Sequence, residues 1–177
     1  AKSESGSWQG PWKRVGKILA HSAVPHHNQF GHPQYEWGLE GSQLIQMPDG
    51  TILMNVVCFL PHGEFSTRQR VFFAFADKVE GPYHTIGTVL QPTAEGWESG
   101  ENGHAAGLLL GDELSLFYQA RAPGKAPNIG PWRYGEAHFN VEVLEKVGRA
   151  TLEYHAKLIE ILEGNDSPIA SRDRRPV

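Results

Sequence analysis

One short phrase occurs twice in this chain, and that repeat limits its fold more than any other feature. The segment from Gly10 to Leu19 reads GPWKRVGKIL, and the segment from Gly81 to Leu90 reads GPYHTIGTVL. Glycine, proline, an aromatic residue, a second glycine and a closing aliphatic pair recur in register. Recurrence of all these positions predicts a repeated structural unit, in which the phrase closes each copy.

A second pair of matching segments predicts two β-hairpins. EGSQLIQMPDGTILMNVV begins at Glu40, and NGHAAGLLLGDELSLFYQ begins at Asn102. Each segment has a glycine, an apolar stretch, a turn of glycine and aspartate, and a second apolar stretch. A glycine–aspartate turn between apolar stretches is a strong hairpin signal. We therefore predict one hairpin over residues 42–59 and another over residues 105–120.

Further apolar segments extend each hairpin. RVFFAFA, at 70–76, predicts a third strand for the first unit, and residues 84–90 predict a fourth. PWRYGEAH, at 131–138, predicts the third strand of the second unit, and residues 140–144 predict its fourth. The segment ATLEYHAKLIEIL, at 150–162, partly fits both a helix and a strand. We favour a strand there.

Four-stranded antiparallel sheets that recur along a chain are typical of a β-propeller, in which each blade stacks on its neighbours. The predicted fold class is therefore all-β, with antiparallel four-stranded blades. Residues 1–163 would hold the end of one blade, two further blades and a closing segment, and residues 164–177 would form a polar tail. Two successive hairpins of a β-sandwich are the alternative. Open blade edges predict that the chain forms a homo-oligomer.

Composition limits the partners. The 16 Lys and Arg residues against 20 Asp and Glu residues give a net charge of -4, which argues against nucleic acid and against an anionic membrane surface. The chain contains no apolar run of transmembrane length. Cys58 is the one cysteine, so an intrachain disulfide is excluded, and its apolar surroundings predict an inert core thiol.

The chemistry is predicted at the starts of the two inner strands, because these face the central funnel of a propeller. The segments are YEWGLEG, at 35–41, and WESGENGH, at 97–104. Both combine carboxylates, a tryptophan and glycines. Tryptophan offers an apolar face to a sugar ring and an N–H group to a hydroxyl. A carboxylate accepts sugar hydroxyls or transfers a proton. Carbohydrate is therefore the predicted partner.

The order of these segments resembles that of glycoside hydrolase family 43. LEGSQLIQMPDGTILMNVV is similar to the family segment in which Glu-Gly-Pro precedes an inner strand, a turn and a second strand. VFFAFADKVEGPYHTIGTVL resembles the phrase that closes a blade. GENGHAAGLLLGDELSLFYQAR resembles a later blade that Gly-His opens. The resemblance covers about residues 8 to 140 and corresponds to the C-terminal half of that fold.

The resemblance implies a five-bladed propeller, incomplete in this chain, that hydrolyses glycosidic bonds. Glu40 falls on the position of the family's general acid. His104 falls on the histidine that faces the axial pocket, sometimes near a bound calcium ion. Glu101 is our second catalytic candidate, from its place in the blade alone. The predicted substrate-binding residues are Trp37, Trp97, Glu98, His104 and Arg121, and the predicted metal ligand is His104.

Two further acids of that family have no counterpart here. They are an aspartate of the first blade and an aspartate of the second. Three functions therefore stay open: a glycosidase, a propeller that binds carbohydrate or protein without cleavage, and a lectin-like β-sandwich.

Overall fold

The computed structural model describes residues 2–19, 26–27, 33–34, 38–59, 69–90, 93, 95–123 and 130–163. Within these ranges the chain is mostly β-sheet and ends in a long helix. In chain order the elements are β1 Lys2–Ser3, β2 Trp12–Lys13, β3 His26–His27, β4 Pro33–Gln34, β5 Gly38–Gln46, β6 Ile52–Phe59, β7 Gln69–Ala76, β8 His84–Thr88, β9 Glu101–Leu110, β10 Glu113–Arg121, β11 Arg133–Asn140 and α1 Val141–Glu163.

The first large sheet is a four-stranded antiparallel meander in the order β5-β6-β7-β8. Its central strands are rich in β-branched and aromatic residues, which suit strands buried on both faces. All residues of β7 are buried. The predicted turn is confirmed, because Asp49 Oδ1 accepts hydrogen bonds from the Thr51 N–H (2.9 Å) and hydroxyl (2.6 Å). This turn joins β5 to β6.

The second large sheet has three antiparallel strands in the order β11-β10-β9. They correspond to the second predicted hairpin and its third strand. Residues of β11 alternate between exposed and half-buried, which is the period-two pattern of a strand with one covered face. The covered face of β10 carries the buried Leu114 and Leu116, and the other face of the sheet leaves Leu108 and Phe117 about half exposed.

An apolar core lies between the two large sheets and the helix. Strand β9 lies against β5, β6 and β7. Two adjacent propeller blades and a two-layer sandwich would both share a core in this way, so the propeller stays a prediction. The buried core residues are Ile45, Met47, Leu53, Val57, Val71, Phe73, Phe75, Ala105, Leu114, Leu116, Val141 and Leu144.

The two copies of the repeated phrase share backbone features but differ in secondary structure. The peptide bonds Gly10–Pro11 and Gly81–Pro82 are both cis. The second copy provides β8, the edge strand of the first sheet, as predicted. In the first copy, only Trp12–Lys13 forms a strand, β2, which pairs with β1. Its later residues pack on the outer face of the first sheet, where the Ile18 carbonyl accepts a 3.0 Å hydrogen bond from the Tyr83 N–H.

The final segment is a helix, so the strands predicted at 140–144 and 150–162 were wrong. Asn140 caps the helix, because its Oδ1 accepts a 3.1 Å hydrogen bond from the Val143 N–H. Residues 141, 144, 148, 152 and 155 are buried or half-buried. This helical period extends through 23 residues and outweighs the strand propensity of the short apolar group near the end.

Helix α1 packs on β7, β8 and β11. Gly148 permits the close approach, since a Cβ atom there would lie 2.6 Å from the Phe75 ring. Arg149 ties the helix to the β5-β6 turn, because its Nε donates to Asp49 Oδ2 (2.8 Å) and a terminal nitrogen donates to the Asp49 carbonyl (2.7 Å). No helix in the described part of the chain is both long and apolar enough to cross a membrane.

A stacked pair of imidazoles joins α1 to β8. The ring centroids of His84 and His155 lie 4.1 Å apart with an interplanar angle of 20°. Burial, and next the nearby His155, lower the pKa of His84, and Asp77 opposes them. Protonation of His84 therefore disfavours the folded state. The stability that neutral His84 contributes is fully present above the ordinary pKa of about 6.5. It is lost as the pH falls through the lower pKa of the folded state.

We therefore expect the free energy of unfolding to fall more steeply with decreasing pH in the wild type than in His84→Gln. Urea unfolding at a series of pH values between about 7 and 5 measures the two slopes. His138→Gln removes an imidazole outside the stacked pair and is the control. Equal slopes for wild type and His84→Gln would contradict the expected role.

Candidate functional site

The first strand of each large sheet carries a β-bulge near its start. In β5, Gly41 and Ser42 together face one residue of β6. In β9, His104 and Ala105 together face one residue of β10. A bulge bends its strand and re-aims a side chain, and bulges are frequent beside functional sites. The two inner strands thus share a local distortion as well as a place in their sheets.

His104 occupies in β9 the place that Gly41 occupies in β5. The φ angles are 59° for Gly41 and 42° for His104. Glycine adopts this region freely, whereas a residue with a Cβ atom pays about 1–2 kcal/mol. Among the described residues, His104 is the one non-glycine residue with positive φ. The same φ region occurs at both bulges, so the bulge geometry places His104 in this conformation and leaves its side chain exposed.

The bulge places His104 beside Glu40 of the other sheet. His104 Nε2 lies 2.9 Å from Glu40 Oε1, and the side chains are 46% and 41% exposed. His104 Nδ1 contacts the side-chain amide nitrogen of Gln119. A neutral imidazole with its proton on Nε2 satisfies both contacts, because Nε2 donates to Glu40 and Nδ1 accepts from Gln119. We call these three residues the bulge cluster.

The bulge cluster does not fit the calcium ion for which His104 was the predicted ligand. Calcium takes six to eight oxygen ligands, whereas both ring nitrogens of His104 already contact other side chains. The described ranges contain no group of three or more His, Cys, Asp or Glu side chains that could hold a metal ion.

Glu101 lies deeper, where the two large sheets meet. Its side chain is 4% exposed and forms an ion pair with Arg121. Its Oε2 accepts a 3.0 Å hydrogen bond from the N–H of Gln69, at the start of β7. The adjacent Asn102 accepts a 3.2 Å hydrogen bond from the Val71 N–H through its Oδ1. Side chains from the start of β9 are thus bonded to the backbone of β7.

Trp97 and Glu98 pack around Tyr118 of β10. The Tyr118 hydroxyl donates a 2.7 Å hydrogen bond to Glu98 Oε2, and the Trp97 ring stacks on Tyr118 with centroids 6.4 Å apart. Burial, and then the bond to Glu98 and its charge, raise the pKa of Tyr118 to about 12, so the hydroxyl stays protonated near neutral pH.

The guanidinium of Arg121 lies 4.2 Å from the Trp132 ring centroid, a cation–π contact.

The sequence analysis selected neither Gln119 nor Tyr118 as a site residue. Gln119 could have been found from the hairpin register, which pairs it with Gly103, next to His104. Trp37 lies outside the described residues. The other predicted site residues meet in three groups: Glu40 with His104, Glu101 with Arg121, and Trp97 with Glu98 around Tyr118.

No family model and no curated protein matches this chain. Three solved structures show partial similarity. A complex of BT0996 with RGII is 15% identical with a TM-score of 0.49, and the match covers 66% of this chain and 35% of that one. An endo-arabinase from Bacteroides thetaiotaomicron VPI-5482 is 14% identical with a TM-score of 0.45, and the match covers 70% of this chain and 39% of that one. An α-L-arabinofuranosidase from Podospora anserina, in complex with cellotriose, is 18% identical with a TM-score of 0.43, and the match covers 58% of this chain and 38% of that one.

The matched region spans less than two fifths of each of those proteins. TM-scores of this size do not establish a shared fold. The function proposed below therefore depends on the residues of this chain.

Proposed function

We propose that this chain is part of a carbohydrate-active β-propeller, in which the bulge cluster contacts the sugar and Glu40 is the general acid of a glycosidase. The supporting observation is the contact between Glu40 and His104 across the first strands of two consecutive sheets. In a propeller these strands line the central channel. Two equivalent bulges that turn polar side chains toward each other are consistent with that position.

The bulge cluster has the chemistry that sugar hydroxyls require. His104 contacts Oε1 of Glu40, which leaves Oε2 to accept from a hydroxyl or to carry a proton to a glycosidic oxygen. The amide of Gln119 offers a further donor and acceptor. His104 holds Glu40 at one oxygen and is itself held by Gln119, so the carboxylate is oriented before a ligand arrives.

Cleavage of a glycosidic bond uses a second carboxylate, roughly 5–9.5 Å from the acid. We infer that Glu101 does not supply it, because its carboxylate is buried and ion-paired with Arg121. A second carboxylate would then come from residues outside the described ranges or from another chain. Binding of carbohydrate without cleavage is the second candidate function, and the burial of Glu101 favours it.

The Glu40→Gln variant tests the proposal, because it keeps the shape of the side chain and removes the transferable proton. We expect hydrolysis of a sensitive oligosaccharide to fall by about 10²–10⁴-fold while affinity changes little. Calorimetry and product analysis with oligosaccharides of arabinose and of glucose measure both quantities. Wild-type protein that binds but hydrolyses none of these probes supports the second function. Unchanged binding and turnover in Glu40→Gln would remove Glu40 from the site.

Two further variants separate ligand contact from folding. His104→Gly removes the imidazole and relieves the strained φ, so we expect weaker sugar binding and a free energy of unfolding that rises by up to about 1 kcal/mol. Glu113→Gln is the matched control, because Glu113 forms a similarly exposed 2.8 Å contact with His138 elsewhere on the second sheet. Retained binding in His104→Gly, or loss of binding in Glu113→Gln, would contradict the proposed site.

A further inference from the structure

Helix α1 carries an apolar face that it does not pack on the sheets. Val143, Val147, Tyr154 and Ile161 are 56%, 37%, 63% and 59% exposed. With Ala150 they recur at alternating spacings of four and three residues, which is the heptad seam of a coiled coil. Lys157 takes the one remaining seam position. We call the six residues Val143, Val147, Ala150, Tyr154, Lys157 and Ile161 the outer stripe.

The outer stripe lies opposite the packed face of the helix. At about 100° per residue, the centre of the stripe is about 180° from Leu152, which packs on the core. A helix that is polar on its free face needs no partner, whereas a contiguous exposed apolar stripe marks an interaction surface. The outer stripe is therefore the surface of the helix that is best suited to a partner helix.

We propose that two copies of this chain dimerise through antiparallel pairing of their outer stripes. With residue 152 at the two-fold axis, Val143 faces the partner's Ile161, and Ala150 faces the partner's Tyr154. Val147 faces the partner's Lys157, whose aliphatic stem can cover it. Each large residue thus meets a smaller or flexible one, and the same surface serves both copies, as a two-fold interface demands.

The charges beside the outer stripe favour this arrangement. Lys146, Glu153 and Glu160 occupy one flank. In the antiparallel alignment Lys146 lies beside the partner's Glu160, and symmetry makes this pair twice. Lys146 and its present partner Glu142 are each 73% exposed, so Lys146 can exchange partners. Glu153 lies near the partner's Glu153 at the two-fold axis, and the repulsion between these two carboxylates limits the affinity of the dimer. Parallel pairing would instead place Lys157 against the partner's Lys157. It would also give Lys146 no acidic neighbour.

Sedimentation velocity of the 177-residue chain over a range of concentrations tests the proposal. We expect a reversible monomer–dimer equilibrium in the wild type. Tyr154→Glu places a charge in the centre of the seam and should raise the dissociation constant by at least about 100-fold. Ile159→Glu is the matched control and should leave it unchanged, because Ile159 is 44% exposed but lies on the opposite side of the helix. Circular dichroism checks that both variants keep their fold.

A charge exchange tests the alignment. Lys146→Glu and Glu160→Lys should each raise the dissociation constant roughly tenfold, and the two together should restore it, since the pair is then reversed. A wild type that stays monomeric overturns the proposal. So does a dimer that Tyr154→Glu and Ile159→Glu leave equally intact, because its interface would then lie elsewhere, for example on the exposed face of the second sheet.

Discussion

Glu101→Ala is expected to lower the free energy of unfolding by about 3–5 kcal/mol. The substitution leaves the Arg121 guanidinium, whose side chain is 14% exposed, without its carboxylate partner. It also removes the acceptor for the Gln69 N–H at the start of β7. A buried charge without its partner, and a backbone donor without its acceptor, both destabilise the folded state. Urea unfolding followed by circular dichroism measures the loss.

The matched control is Glu113→Ala, which removes the carboxylate of the exposed ion pair with His138. That pair has side chains 49% and 52% exposed, so we expect a loss of at most about 1 kcal/mol. The double variant Glu101→Ala, Arg121→Met should regain part of the loss, because no unpaired charge remains. Equal losses for Glu101→Ala and Glu113→Ala would contradict the structural role. Full stability with lost hydrolysis in Glu101→Ala would return Glu101 to the catalytic candidates.

Phe73→Ala is expected to lower the free energy of unfolding by a comparable amount, about 3–5 kcal/mol. Phe73 is fully buried in the core between the sheets and lies against Phe139, with ring centroids 5.2 Å apart. Removing its ring opens a cavity that strands held by ladders on both sides cannot collapse to fill. The change in the midpoint of urea unfolding measures the effect.

Phe117→Ala is the matched control, because Phe117 is 44% exposed on the free face of the second sheet. We expect its effect to stay within roughly 0.5 kcal/mol. If Phe73→Ala fails to fold, Phe73→Leu provides a milder change, whose loss should be smaller because the cavity is smaller. A cost for Phe117→Ala equal to that for Phe73→Ala would mean that the free face is covered in solution.

The sequence predicted the sheets well, because their signals are local. An aspartate–glycine turn and flanking β-branched runs predicted the first hairpin, and Asp49 and Gly50 form that turn. The final helix was missed for the same reason. Its short apolar group near residue 160 suits a strand, whereas the helical period that follows the cap at Asn140 is evident only over several turns. The helical pattern outweighs local propensity once that full length is considered.

The sites show the same limit. The two-segment comparison placed Glu40 and His104 at corresponding strand starts, and their side chains do meet. It also aligned Gly41 with Gly103, whereas the bulges align Gly41 with His104, a one-residue offset that the spacing of the two segments does not reveal. The burial of Glu101 depends on a backbone N–H more than thirty residues away in β7, and no pattern near Glu101 indicates it.

The direct passage from β11 into α1 has a mechanical consequence. Asn140 ends the strand, Val141 begins the helix, and the Val141 N–H donates to the Asp112 carbonyl at 2.9 Å. Because no linker separates them, the direction of the last strand residues determines which face of the helix is turned toward the sheets. One inserted residue at this junction would turn the helix by about 100° and carry Leu144 away from the sheets. A change in the twist of the second sheet would therefore turn the helix with it.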